Sequence, residues 1–284
     1  MFENGSYKLF SRMNSFDIPM LSQYQIPHTS RLCDYVSMIW QAEGVHQESE
    51  AIIPQGVVDI IFNFSEAISG IKPVENSVFH APRCFLFGMH TRVMHAQYST
   101  RHLLLGIRLH PYQVQAMLGV HPSEIKNLTI DLSLILPEMD SLWHRLIELK
   151  TFEERVQLLE EQLPHIADDH NIRNKALSDL FLKHGVESFQ SVDELSRQVC
   201  YSPRQLHRVA HDLFGLSAEE LTLFKKFIQS VNLMHGDRVS LTEVAYKAGF
   251  YDQAHFCRVF KTFTGITPGL YRKRKGVLPF HIIS

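Results

Sequence analysis

Four residues near the C-terminal end of the chain recur fifty positions later: Leu206, Arg208, Val209 and Gly215 are answered by Phe256, Arg258, Val259 and Gly265. A repeat of this kind means that one supersecondary unit is present twice. Each copy opens with a helix-start signal. Ser240 followed by Glu243 is a capping box, and Ser191 with Glu194 is its counterpart. Ala245 and Gly249 suit a helix that packs closely and stops at a glycine able to take positive φ. Asp252 is then an N-cap for a second helix, and Gly265 terminates it. In the first copy Ser202, Pro203 and Gln205 supply cap, N1 proline and N3 partner, and Gly215 closes the helix. The pattern predicts helix-turn-helix units near 191–215 and 240–265, a layout whose second helix can enter a DNA major groove.

The helix faces agree with that layout. Phe256, Val259, Phe260 and Phe263 recur at helical spacing and should pack inward, which turns Gln253, Ala254, Cys257, Arg258 and Lys261 outward. Gln and Arg can make bidentate contacts to base edges, and Lys261 can reach phosphate. A lone Arg–Lys pair would be ordinary solvated charge; here cap, glycine, aromatic face and basic face occur together. In the first copy Leu206, Val209, Ala210 and Leu213 face inward, while Arg204, His207, Arg208 and His211 share the outward face. Ala218–Met234 between the copies reads as a long helix with Leu221, Phe224, Phe227, Ile228 and Val231 apolar. Two heads on one rigid helix can reach successive major grooves about one turn (~34 Å) apart.

The stretch GFYDQAHFCRVFKTFTGITPGLYR, at 249–272, resembles the signature of the arabinose-regulator (AraC/XylS) family of bacterial transcription factors. The resemblance extends back to about Asn171. It implies base contacts at Arg204, His207 and Arg208, and again at Gln253, Cys257 and Arg258. Phosphate contacts are expected at Ser202, Asp252, Lys261 and Arg272, and structural turn roles at Ala245, Gly249, Gly265 and Pro268. The first unit departs from the family pattern: Ser196 replaces an alanine, Cys200 the turn glycine, and Lys226 a common arginine of the linking helix. That reads as a looser first head beside a nearly ideal second one. Cys257 admits either a redox switch or an apolar contact to a thymine methyl.

Charge divides along the same line. Residues 1–185 hold 15 basic and 21 acidic side chains, a net −6, whereas residues 186–284 hold 13 and 9, a net +4. Only the second part has the balance of a polyanion binder. At 284 residues there is room for two cores. No apolar run has the length of a membrane span, and MFENGSYKLF is not the start of a signal peptide, so a cytoplasmic protein without membrane attachment is expected. The scattered cysteines Cys33, Cys84, Cys200 and Cys257 fit reduced thiols.

Residues 1 to about 110 read as short strands broken by turns. In Val57–Phe64 one alternating set is Val58, Ile60, Phe62 and Phe64, and the other carries Asp59 and Asn63. That predicts a half-buried strand entered from a Pro54-Gln55-Gly56 turn. Asp34–Trp40, Ser77–His80, Cys84–Met89, Arg92–Tyr98 and Leu103–Leu109 are further candidates, and Pro111–Leu118 a short helix. PQGVVDIIFNF and LLGIRLHPYQ resemble the sensor domains joined to such DNA-binding domains, which implies a cupin-like β-barrel able to hold a small effector. Residues 1–185 contain twelve of the seventeen histidines, yet no His-x-His or His-x-x-x-His pair, so neither a metal nor a cofactor is expected. His90 and His95 would fall on opposite faces of one strand. No phosphate loop or nucleophile motif is present, so no enzyme is expected.

From Pro137 the period turns helical. Leu142, Leu146 and Leu149 line one helix, and Thr151 and Glu154 cap another that carries Val156, Leu159 and Leu163. The pair at 137–163 is either a homodimer interface or a cover for the barrel. Pro164–Asn171 reads as a linker, and Asn171–His184 as a helix ended by Gly185.

The expectation is an α+β chain of two domains. Residues 1–165 form a sensing and dimerising β-barrel with helices, and residues 166–284 an all-α double helix-turn-helix domain. The function expected is sequence-specific transcriptional regulation, as an activator or repressor, on double-stranded promoter DNA with RNA polymerase as partner. The competing readings are a barrel enzyme, or an interaction module with a degenerate helix-turn-helix domain.

Overall fold

The computed structural model describes residues 7–10, 20–44, 49–65, 68–71, 78–98, 101–166, 175–182, 191–236, 239–276 and 280–283. Its N-terminal part contains strands β1 (Tyr7–Phe10), β2 (Met20–Gln25), β3 (Val36–Gly44), β4 (Ser49–Ile52), β5 (Asp59–Asn63) and β6 (Ile68–Ile71). These are followed by β7 (Val78–His80), β8 (Cys84–Phe87), β9 (Met94–Tyr98) and β10 (His102–Leu109). A 3-10 turn at Pro111–Gln113 then leads into α1 (Val114–Leu118), β11 (Thr129–Asp131), α2 (Glu138–Glu148) and α3 (Phe152–Ile166). The C-terminal part is helical: α4 (Lys175–Leu182), α5 (Val192–Gln198), α6 (Pro203–Phe214), α7 (Ala218–Gly236), α8 (Leu241–Lys247), α9 (Gln253–Thr264) and α10 (Pro268–Arg274), with a last strand β12 (His281–Ile283).

The strands form two antiparallel sheets, ordered β1-β2-β3-β10-β5-β8-β11 and β12-β4-β9-β6-β7. Ile61, Phe85 and Leu104 of the first sheet meet Ile68 of the second in one buried cluster. The α+β class and the β-rich, cupin-like N-terminal architecture are as expected; among the described residues the sheets face each other without closing into one continuous barrel.

That second layer corrects the reading of β5 as half-buried. All five of its residues are buried, Asp59 at 3% and Asn63 at 5% exposure. Alternation marks which residues share a face, but it does not say whether the polar face is covered. Here the cost of burying a carboxylate is offset by pairing. Arg108 donates to both Asp59 oxygens, each at 3.0 Å, and Trp40 Nε1 donates to Oδ2 at 3.2 Å. Gly106 makes room for that indole, since a Cβ there would lie 2.0 Å from Trp40 Cε2.

Helices α2 and α3 cover the opposite face. Leu142, Leu146, Val156, Leu159 and Leu163 are buried in the same core as Ile60, Phe62, Leu105 and Ile107. Each such side chain contributes about 1.5–3 kcal/mol on burial. Trp143 Nε1 donates to Asn63 O at 2.8 Å, and buried Arg155 reaches Gln41 Oε1 at 2.7 Å. The apolar stripes at 137–163 are therefore used within the chain, as the covering alternative requires. The expected linker begins later than Pro164, because α3 runs through that proline to Ile166. The rest of it, and the helix end at Gly185, lie outside the described residues.

Contacts between residues far apart in the chain tie the parts together. Gly56, at φ +72°, sits so close to α4 and α7 that a Cβ would lie 2.9 Å from Phe181 and Ile228. The last strand, β12, pairs with β4 in the N-terminal sheet, and His281 Nδ1 lies 2.6 Å from Glu50 Oε1. No helix of the described residues is long and apolar enough to cross a membrane.

Candidate nucleic-acid interface

Each unit is built from its caps. Ser202 with Gln205 and Ser240 with Glu243 form complete capping boxes, and the Ser191 hydroxyl accepts from Glu194 N at 3.2 Å. After α5 the chain turns at Cys200, φ 57°; after α8 it turns at Gly249, φ 79°. The turns share one backbone bond, Tyr201 N to Ser196 O and Phe250 N to Ala245 O, both 2.9 Å. Gly215 and Gly265 end the second helices in the left-handed region.

The second helices expose the expected residues. Leu206, Val209, Ala210 and Leu213 are buried, as are Phe256, Val259 and Phe260, while Phe263 is partly buried. Arg204, His207, Arg208, Gln253, Arg258 and Lys261 are exposed. Cys257 is half-buried, and burial raises its thiol pKa, which disfavours the reactive thiolate a redox switch needs. Gln253 is held from α8, where the Thr242 hydroxyl donates to its Oε1 at 2.7 Å. His207 Nε2 stands 3.3 Å from Glu219 on α7.

One helix, α7, packs against both units. Helix α7 packs against α6 and against α9, and its 19 residues span about 28 Å at 1.5 Å each. Aromatic rings run across it from the first unit to the second. Phe214 lies tilted against Phe181 with centroids 4.6 Å apart, and Phe181 stacks on Phe224 at 6.4 Å. Phe224 and Phe227 meet Phe263 at 5.1 and 4.7 Å, and Phe260 meets Tyr271 at 5.5 Å. Beneath the first unit, the Lys225 ammonium donates to Phe181 O, and burial pushes its pKa down to about 8. Burial also lowers the pKa of Lys226, against the opposing charge of Glu194.

Three residues expected at phosphates are committed elsewhere. Ser202 and Asp252 spend their side chains as N-caps, Asp252 Oδ1 accepting from His255 N at 2.6 Å. A carboxylate would also repel phosphate. Arg272 is half-buried and donates to Val239 O, which fixes the approach to α8. Ala245 is buried against the core, and Pro268 occupies N1 of α10 behind the Thr267 cap.

The reading of the sequence missed Tyr251. The first helices are offset by 49 positions (191 to 240) and the second by 50 (206 to 256), so the second turn holds one residue more. That residue precedes the Asp252 cap and is 91% exposed. The two offsets are visible in the sequence. Thr242 carried no comparable signal, because its role depends on how α8 lies against α9.

A helix-turn-helix domain family matches residues 195–274, and a domain of unknown function (DUF6597) matches residues 24–131. The uncharacterised HTH-type transcriptional regulator YtdP of Bacillus subtilis (strain 168) is 27% identical over 176 residues, 58% of this chain and 23% of that protein. The arabinose operon regulatory protein of Escherichia coli (strain K12) is 28% identical over 120 residues, 42% of this chain and 39% of that protein. The match thus spans less than half of either relative's own length. Among solved structures, ToxT from Vibrio cholerae superposes with a TM-score of 0.47 at 10% identity, covering 83% of this chain and 97% of that one.

Proposed function

We propose that the chain is a transcriptional regulator of the AraC/XylS family and that it reads promoter DNA sequence-specifically through α6 and α9. The observation that carries this is the pairing of two exposed polar helix faces on one rigid helix. Arg204, His207 and Arg208 read bases from the first head, and Gln253, Cys257 and Arg258 from the second. Lys261 neutralises phosphate. Ser202 and Asp252 mark the positive ends of the reading helices, where backbone N–H groups can face phosphate, and the Tyr251 hydroxyl can reach it.

Residues 1–165 act in this proposal as the sensing and dimerising unit and 166–284 as the DNA-binding unit. A small effector between the sheets would meet Trp40, Asp59 and Arg108, and buried His90, whose Nε2 has no hydrogen-bond partner. A homodimer that recruits RNA polymerase, acting as an activator, completes the proposal. The test is a genomic footprint of the tagged chain, followed by gel shifts at physiological salt. Selected sites should outcompete random duplex strongly, whereas equal affinity for every sequence overturns sequence-specific regulation.

A further inference from the structure

At the junction of the sheets with the first reading head, His121, His211 and Asp212 bring one ligand atom each to within 4.8 Å of one another. His121 lies in the loop between α1 and β11, and its Nε2 stands 3.8 Å from Asp212 Oδ1. Its ring lies beside that of His211, with centroids 5.2 Å apart. We propose that these three side chains bind a borderline divalent transition ion such as Zn2+, fastening this loop to the last turn of α6.

The donor set suits the ion, since imidazole and carboxylate are ordinary zinc ligands at about 2.0–2.2 Å. Ligands of a tetrahedral ion at that radius stand about 3.4 Å apart. The His121–Asp212 pair is already close to that separation, and exposed His211 can close the rest by a rotamer adjustment. His121 is aimed by its neighbour. Ser123 occupies the Nδ1 edge: without the ion its backbone N–H donates to Nδ1 at 3.2 Å, and with the ion on Nε2 its hydroxyl, 2.7 Å away, accepts from the proton that moves to Nδ1. Such outer contacts orient a ligating imidazole before the ion arrives.

The loop is held on α6 by contacts that need no metal. Lys126 Nζ donates to Gly215 O at 3.1 Å, and Gly215 lies so close to Ser123 that a Cβ would come 2.7 Å from its Cα. The two halves of the site are therefore in register beforehand. Water completes the coordination on the open side, where His211 is exposed.

Calorimetric titration of the full chain with Zn2+, in a non-chelating buffer with a phosphine reductant, tests this. One ion per chain is expected, and His121→Ala, His211→Ala and Asp212→Asn should each weaken binding about tenfold or more. His144→Ala, at an exposed His–Asp pair on α2, and Cys200→Ser, at an exposed thiol, should leave it unchanged. Co2+ substituted for zinc should give ligand-field bands without thiolate charge transfer, a readout that needs no variant. Absence of stoichiometric binding, binding unchanged in His121→Ala, loss in Cys200→Ser, or a thiolate band overturns the proposal. None of these outcomes depends on DNA, so the DNA-reading proposal stands or falls separately.

Discussion

The first and second reading heads follow one plan and differ where the chain turns. Both close the turn with the same 2.9 Å backbone bond. The first puts Cys200 into the left-handed region, whereas the second uses Gly249. Where Ala245 simply packs, the Ser196 hydroxyl donates to Tyr201 O and ties the first turn to its own side chain. The second turn is one residue longer and presents Tyr251 to solvent. The backbone path is thus imposed by packing on α7, and the side chains set what that path costs. A non-glycine residue in the left-handed region costs about 1–2 kcal/mol. The heads also differ in neighbours, since α6 ends against Ser123 and Lys126 of the N-terminal part.

The largest expected effect concerns the cation under the first head. Lys225 has a folded-state pKa of about 8 against an ordinary 10.5, lowered by burial. The unfolded chain then binds more protons between those values, so stability should rise as pH increases from about 8 to about 10.5, by about 3 kcal/mol in all. Urea unfolding across that range should show this slope, and Lys225→Met should flatten it. Lys261→Met, on the exposed face of the second head, should leave it in place. The same flattening in both variants would break the comparison.

Next comes DNA. Arg258→Ala should lose roughly 1–3 kcal/mol of specific binding and relax preference at one base pair. Arg208→Ala should lose less, and equal losses in gel-shift titrations would make the heads equivalent. Gly249→Ala should cost about 1–2 kcal/mol of folding stability. The smallest change is Cys200→Gly, which should gain up to about 1 kcal/mol by relieving the first turn. A loss on that substitution would mean that Cys200 packs better than its backbone angle implies.

Much of the C-terminal part was legible because its signals are local. Ser202, Ser240 and Asp252 mark helix starts by satisfying N–H groups within three residues, and Gly215 and Gly265 mark ends by accepting positive φ. The buried set Leu206, Val209, Phe256 and Phe260 follows from helical period alone. For the same reason the exposed faces bearing Arg208 and Arg258 were readable. The partner of Arg272 was not, because the carbonyl it donates to, Val239 O, lies thirty-three positions back along the chain.

What the sequence determined by itself is the duplicated helical frame and the two polar faces it presents, since caps, turn angles and periodicity act within a few residues. Only the tertiary structure decided that Asp59 is buried against Arg108, that α2 and α3 spend their apolar stripes on the sheet, that β12 returns to pair with β4, and that His121 meets His211. These outcomes depend on which surface covers which, and on pairings between residues far apart along the chain. A polar residue in a strand carries no local mark of the layer that will close over it, and a histidine carries none of a partner ninety positions away.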